Sequence, residues 1–255
     1  MMEDLCIIDD GDNTNYIITL FFTLFYKNSG FNNHFLESTK NIKSIYLQEL
    51  IKTKIIIPLK KNDSIIGTAL NEIRNYCYLL GWKSLTILTD PFDIYDFYTF
   101  FMLTCGIDKI EIVNIDEDKS YNDYFIKLII DHDCHINELM NKWIKRFIIK
   151  NIPNLIPVKL TRVSCELLVD IPKKLLILDS SIKYFGGSTL RKKWRIHSII
   201  CQHSLNKFYS LVKSDNYWIL FDDSLCPCKK YISLSDDKII DKIKKECYII
   251  NYVID

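Results

Sequence analysis

The apolar residues of this chain change their spacing near residue 106, and that change limits the folds open to it. Ahead of Gly106 they recur every three or four positions, the period of a helix face. Beyond it they mostly alternate or run in short blocks, as in strands. Residues 13–27 carry Ile17, Leu20, Phe21, Leu24 and Phe25 at helical spacing, with Asn13 or Thr14 as N-cap. Asn28-Ser29-Gly30 ends that helix, and 31–40 continue as a second short one. Ser64 caps a helix over 65–80 that Gly81 stops, and 85–89 form a short strand. Pro91 opens a helix over 92–105, with Phe92, Tyr95, Phe97, Phe100, Phe101 and Leu103 mostly inward and Gly106 as its end. Further on, 109–115 and 124–130 read as strands and 136–149 as an amphipathic helix. Strands follow over 155–162, 165–170, 174–179, 194–202, 207–213, 216–222 and 247–254, with a polar connector and short helix within 223–246. Helices first and an antiparallel sheet second is α+β segregation. A single domain over 1–255 is expected, with a helical lobe about 1–106 and a β-rich lobe about 107–255.

Composition narrows the function classes. Net charge is +1, so no global field draws the chain to nucleic acid. The longest apolar run, Tyr16 to Tyr26, is broken by Thr19 and Thr23 and is too short for a bilayer. No basic segment and apolar stretch open the chain, so export is not expected. The nine cysteines are odd in number and scattered, which reads as reduced thiols in a cytoplasmic setting. Ala69 is the sole alanine while Ile, Asn and Lys abound. This bias points to an AT-rich genome, such as that of a large DNA virus or a protist.

Two segments near opposite ends carry the functional signal. The first is Asp12-Asn13-Thr14-Asn15-Tyr16-Ile17; the second is Phe208-Tyr209-Ser210-Leu211-Val212, followed by Trp218-Ile219-Leu220-Phe221-Asp222-Asp223. They resemble the two boxes of the ubiquitin-specific proteases, cysteine proteases of papain-like fold, except where that family has its nucleophilic Cys and its His. Other landmarks resemble the family in the same order. They are the acidic-aromatic helix Phe92 to Phe101, the strand Leu155 to Arg162, Val169 to Leu175, and the strand Trp194 to His203.

The resemblance places Asn15 at the nucleophile, Phe208 at the base and Asp222 at the orienting acid, with Tyr16, Tyr209 and Trp218 around the cleft. The family's oxyanion-hole Asn falls on Asp10, whose carboxylate would repel a developing oxyanion. The CxxC pairs of the family's zinc-bearing fingers are missing. A thiolate, a base and an orienting group are all needed for this chemistry, so the expectation is a pseudoenzyme without cofactor that works as a protein-binding scaffold. The implied partners are proteins, with ubiquitin or a ubiquitin-like protein bound at weakened affinity, and neither membrane nor direct nucleic acid.

Two other readings stand beside this one. The first is an active peptidase of the same fold using displaced residues. Cys201 and His203, two apart on a strand, are a thiol–imidazole candidate or half a metal site, and otherwise a core thiol beside a rim imidazole. The second is a metal- or nucleic-acid-associated module unrelated to ubiquitin. Cys226-Pro227-Cys228 would need two further ligands for zinc. Asp131-His132-Asp133-Cys134-His135 has metal-binding residue types but also reads as a turn capping the next helix. The basic clusters Arg191 to Arg195 and Lys229-Lys230 could touch phosphate or simply be solvated.

Overall fold

The computed structural model describes residues 7–8, 14–26, 35–36, 42–61, 63, 65–83, 93–151, 153–171, 174–176, 193–205, 207–214, 217–225, 228–232 and 237–254. The chain forms two compact units, Met1–Ile107 with Ile200–Leu234, and Asp108–Ile199 with Ser235–Asp255. The first unit thus combines the helices with strands that lie beyond residue 200. Strands beyond residue 200 join the helices because the apolar helix at the centre of the first unit needs a sheet to cover it.

That helix is Asn15–Phe25, and all of residues 16–25 are buried. Three β-branched residues in succession, Ile17, Ile18 and Thr19, are weak helix formers. Burial on every side outweighs that preference. One side packs on the strand Lys207–Ser214, which continues antiparallel into Tyr217–Phe221 and then Lys229–Ile232. There Phe22 stacks on Phe221 with ring centres 4.3 Å apart. Another side packs on the helix Ile94–Thr104, where Phe21 lies 5.3 Å from Phe101 and Phe101 stacks on Phe35.

The helix Ile94–Thr104 starts at Asp93, whose carboxylate accepts the Tyr95 N–H at 2.8 Å. Pro91 and Phe92 lie outside the described residues. Leu103, expected inward, is 62% exposed. It sits about 200° around the helix from Phe101, off the stripe set by Ile94, Phe97, Phe101 and Cys105.

The helix expected over 65–80 begins later, as Gly67–Leu79, because Ile65–Ile66 pairs in parallel with Ile7–Ile8. It ends in a Schellman motif: the Trp82 N–H donates to Cys77 O and the Gly81 N–H to Tyr78 O, with Gly81 at φ 99°. Replacing Gly81 with alanine is expected to cost about 1 kcal/mol, because only φ strains the new residue; an added Cβ meets nothing within 4 Å. A urea-unfolding midpoint measures this.

A helical run over 42–61 has no counterpart in the sequence reading. It comprises Ile42–Ser44, Ile45–Ile51, a π segment at Lys52–Ile56 and Ile57–Lys61. Its buried residues Leu47, Ile51, Ile55 and Leu59 recur every four positions. A plain α-helix drifts away from that spacing, and the wider π turn absorbs the drift.

In the second unit, Leu155–Arg162 pairs antiparallel with Cys247–Ile254 and parallel with Ile126–Ile130. The parallel pair corrects the purely antiparallel expectation. Its cause is the helix Ile136–Arg146, which carries the chain across between those strands. The helix expected to reach 149 stops at Arg146, because Phe147–Ile149 pairs with Ile110–Asn114. The His135 side chain caps it, Nδ1 accepting the Asn137 N–H at 3.2 Å. The expected strand 165–170 shrinks to Val169–Asp170, paired in parallel with Cys134–His135. Strands at Lys119–Asp123 and Lys229–Ile232 are additional. Among the described residues no helix is long and apolar enough to cross a membrane, and the seven described cysteines form no disulfide.

Candidate functional site

Within the first unit, the start of the central helix meets the strand Lys207–Ser214. Asn15, the first helical residue, reaches across with its carboxamide. Its Oδ1 accepts the Phe208 N–H at 2.8 Å, and its Nδ2 donates to Phe208 O at 3.0 Å and to Asp223 Oδ1 at 2.6 Å. One amide therefore meets both backbone groups of a strand residue, as a neighbouring strand would, and spends its second N–H on a carboxylate. Thr19, one turn on and on the same face, donates to Phe208 O at 3.4 Å. Thr23, a turn further, donates back to Thr19 O at 2.6 Å.

Asn15 and Phe208 are thus in direct contact although 193 positions apart. The contact is made by the Phe208 backbone; its ring is only 2% exposed and packs as core. Asp222 is not the acid that reaches Asn15. Its Oδ1 accepts the Ser224 N–H at 3.0 Å and the Ser224 hydroxyl at 2.6 Å, and its N–H donates to Cys228 O. It closes the turn after the Tyr217–Phe221 strand. Adjacent side chains at a strand end point apart, so Asp223 is the carboxylate delivered to the helix start, where the helix dipole favours negative charge. Asp10 lies outside the described residues.

Tyr16, Tyr209 and Trp218, expected around a cleft, are 3%, 4% and 7% exposed and belong to the core. The Trp82 indole N–H donates to the Tyr16 hydroxyl at 3.3 Å, and the Tyr16 ring meets Phe97 edge-on at 5.0 Å. Burial carries the Tyr16 phenol pKa far above its ordinary value. Their size and apolar rings make interior positions the cheaper solution.

Asn15 offers hydrogen-bond donors and an acceptor but no nucleophile, and Phe208 offers no proton acceptor. Sequence reasoning missed Thr19 and Asp223. The signal for Thr19 was the polar stripe Asn15, Thr19, Thr23 at i, i+4 spacing in an otherwise apolar helix.

The other candidates separate. Cys201 is buried and His203 exposed on Lys193–Ser204. Cys226 lies outside the described residues, and no described group of three His, Cys, Asp or Glu side chains could hold a metal. His135 is used as a cap, and His132 Nδ1 meets Asp131 at 2.5 Å. In the basic clusters, Trp194 is buried with its indole N–H donating to Pro153 O, so it is unavailable for base stacking. Lys229 is buried with its ammonium 5.7 Å from the Tyr26 ring centre. Arg191 and Lys192 lie outside the described residues. Among the described thiols, burial pushes Cys105 up to about 12, Cys247 up to about 11 and Cys77 further still. Such thiols are poor sources of thiolate.

Among solved structures the chain is similar to the SAGA Ubp8/Sgf11/Sus1/Sgf73 DUB module bound to ubiquitin aldehyde. The TM-score is 0.69 at 11% identity, over 100% of this chain and 70% of that chain. A second structure of that module, with a Cys-to-Ala form of Ubp8 bound to monoubiquitin, matches at TM-score 0.69 and 12% identity over the same shares. No family profile matches the sequence, and no curated protein sequence does. The chain has a mixed helix-and-sheet fold like that of a ubiquitin-specific-protease deubiquitinase.

Proposed function

We propose that this chain is a catalytically inactive, ubiquitin-specific-protease-like domain that works by binding other proteins, as a scaffold or structural subunit. One observation carries the reading. The side chain at the helix start is a carboxamide, and all three of its hydrogen bonds are spent tying the helix to Phe208 and Asp223. Cysteine-protease chemistry needs a thiolate and a base at those two positions. The amide acts as a structural clasp in their place.

The same-fold structures hold ubiquitin, which makes ubiquitin a natural candidate ligand. The clasp bears on its affinity. A ubiquitin tail threading beside the helix start would compete with Asn15 for the Phe208 backbone, so weakened binding follows.

The test is chemical. Incubation with a ubiquitin carrying a C-terminal electrophile is expected to label none of the nine cysteines. A ubiquitin–fluorophore amide is expected to be hydrolysed no faster than in buffer. Loss of nucleophile or base costs a triad enzyme roughly 10^6 in turnover, well below the sensitivity of either assay. Covalent capture at any cysteine overturns the proposal in favour of displaced catalytic residues.

A further inference from the structure

Away from the clasp, the helical run over 42–61 concentrates positive charge. It carries Lys43, Lys52, Lys54, Lys60 and Lys61 against Glu49 alone, a net of +4. The rest of the first unit holds eight Lys and Arg against fourteen Asp and Glu, a net of −6. Charge within this unit is therefore segregated, and the local field it sets up is hidden by the near-zero net charge of the chain.

The fold decides where those lysines stand. Leu47, Ile51, Ile55 and Leu59 form the buried stripe. Thr53, Ile57 and Lys61 each lie two residues past a member of that stripe, about 200° round the helix, and so make an outer ridge. Lys52 and Lys60 flank the ridge on one side and Lys54 on the other. These four lysines are all exposed, and none forms an ion pair among the described residues. Ile57, in their midst, is 40% exposed. From Lys52 to Lys61 the ridge runs about 14 Å.

The chemistry of the ridge selects among anionic partners. Nucleic acid is held by guanidinium forks and by aromatic faces on which bases stack, and residues 52–61 contain neither. A membrane-surface helix sinks its apolar face among the lipids, and here that face is taken up by the core. Carboxylates on a peptide meet ammonium groups one at a time, and an apolar side chain between them covers Ile57.

We infer that the outer ridge of residues 52–61 is a docking site for an acidic segment of a partner protein, its carboxylates on Lys52, Lys54, Lys60 and Lys61 and one apolar side chain on Ile57. The inference rests on the protein-binding half of the proposed function.

The test uses the full chain and short fluorescein-labelled peptides. One has aspartates and glutamates around a central leucine; a variant has alanine for the leucine, and another has lysines for the acids. Anisotropy titration at low salt is expected to show saturable binding of the acidic leucine peptide. Binding is expected to be about threefold weaker with alanine and absent with lysines. Lys54→Glu combined with Lys61→Glu is expected to weaken it about tenfold. Lys119→Glu combined with Lys145→Glu makes the same change in net charge on exposed lysines of the second unit and is expected to leave it unchanged. Absence of saturable binding to the wild-type chain, or an equal loss in the two double variants, overturns the inference. Tighter binding to single-stranded RNA of equal charge, or to phosphatidylserine vesicles, overturns it too, because the partner is then of another class. A wild-type dimer in sedimentation that Lys54→Glu with Lys61→Glu dissolves does the same, because a second copy then covers the ridge. If the ridge fails while the ubiquitin electrophile still labels nothing, the inactive binding reading survives with its surface elsewhere. Labelling of a cysteine with peptide binding intact overturns inactivity alone.

Discussion

Replacing Asn15 with aspartate is expected to cost about 4 kcal/mol at neutral pH, although the change swaps a single amide nitrogen for oxygen. The shape is kept, and so is the acceptor for the Phe208 N–H. The second N–H bond partner is what changes: an oxygen now stands 2.6 Å from Asp223 Oδ1 and 3.0 Å from Phe208 O, where Nδ2 donated to both. Two carboxylates and a carbonyl then meet beside a buried strand. Asn15→Ala loses the bonds without adding repulsion and is expected to cost about 2 kcal/mol. Aspartate falling below alanine in urea-unfolding midpoints is therefore the signature of the clasp. Equal stability of Asn15→Asp and wild type would show that Asn15 does not hold these partners. The aspartate penalty should shrink on acidification, because protonating one carboxyl of the pair restores a donor between them.

The second large effect lies in the other unit. The Arg162 guanidinium donates from Nε to Leu167 O at 3.2 Å, from Nη2 to Lys244 O at 2.8 Å and from Nη1 to Cys247 O. Lys244 lies in the last turn of the helix Asp237–Glu246, and Cys247 opens the strand that follows. One side chain thus serves orphan carbonyls at a helix end and fixes the helix-to-strand turn. Arg162→Ala is expected to cost about 3 kcal/mol and to speed amide exchange in residues 237–250. Arg162→Lys, a point charge without the planar fork, recovers only about 1 kcal/mol of that. The nearby pairs Lys244–Asp170 at 2.7 Å and Lys245–Glu166 at 2.6 Å lie at the surface and contribute little. High salt, which screens those pairs, should therefore leave most of the Arg162 effect in place. An alanine variant as stable as wild type would remove Arg162 from this role.

The legible parts of the fold were those where one local period held to the end of an element. The strands Leu155–Arg162 and Cys247–Ile254 match their expected bounds, and the central helix and its successors at 67–79 and 94–104 fall within a few residues. The run over 42–61 was not legible, because a π turn breaks the period by which a helix is recognised. Lys119–Asp123 was not either; its residues are polar and its identity as a strand comes from pairing with Ile110–Asn114. In the site, the neighbourhood of Asn15 and Phe208 followed from the ordered motifs. The exchange of Asp222 for Asp223 did not, because which of two adjacent carboxylates turns inward depends on where the Tyr217–Phe221 strand ends and how Ser224 closes the turn.

By itself the amino-acid sequence determined that a largely apolar helix stands near the front, that strands dominate the back, and that no Cys or His occupies the two motif positions. Those are properties of side chains and of local period, and they need no partner to be read. Tertiary structure alone decided that the Asn15 amide bonds both backbone groups of Phe208, that Tyr16, Tyr209 and Trp218 are interior, and that residues 200–234 belong with the helices. Each depends on groups far apart in the chain being brought within hydrogen-bond or van der Waals reach. Covering the apolar helix with the Lys207–Ser214 strand supplies the free energy that brings them together.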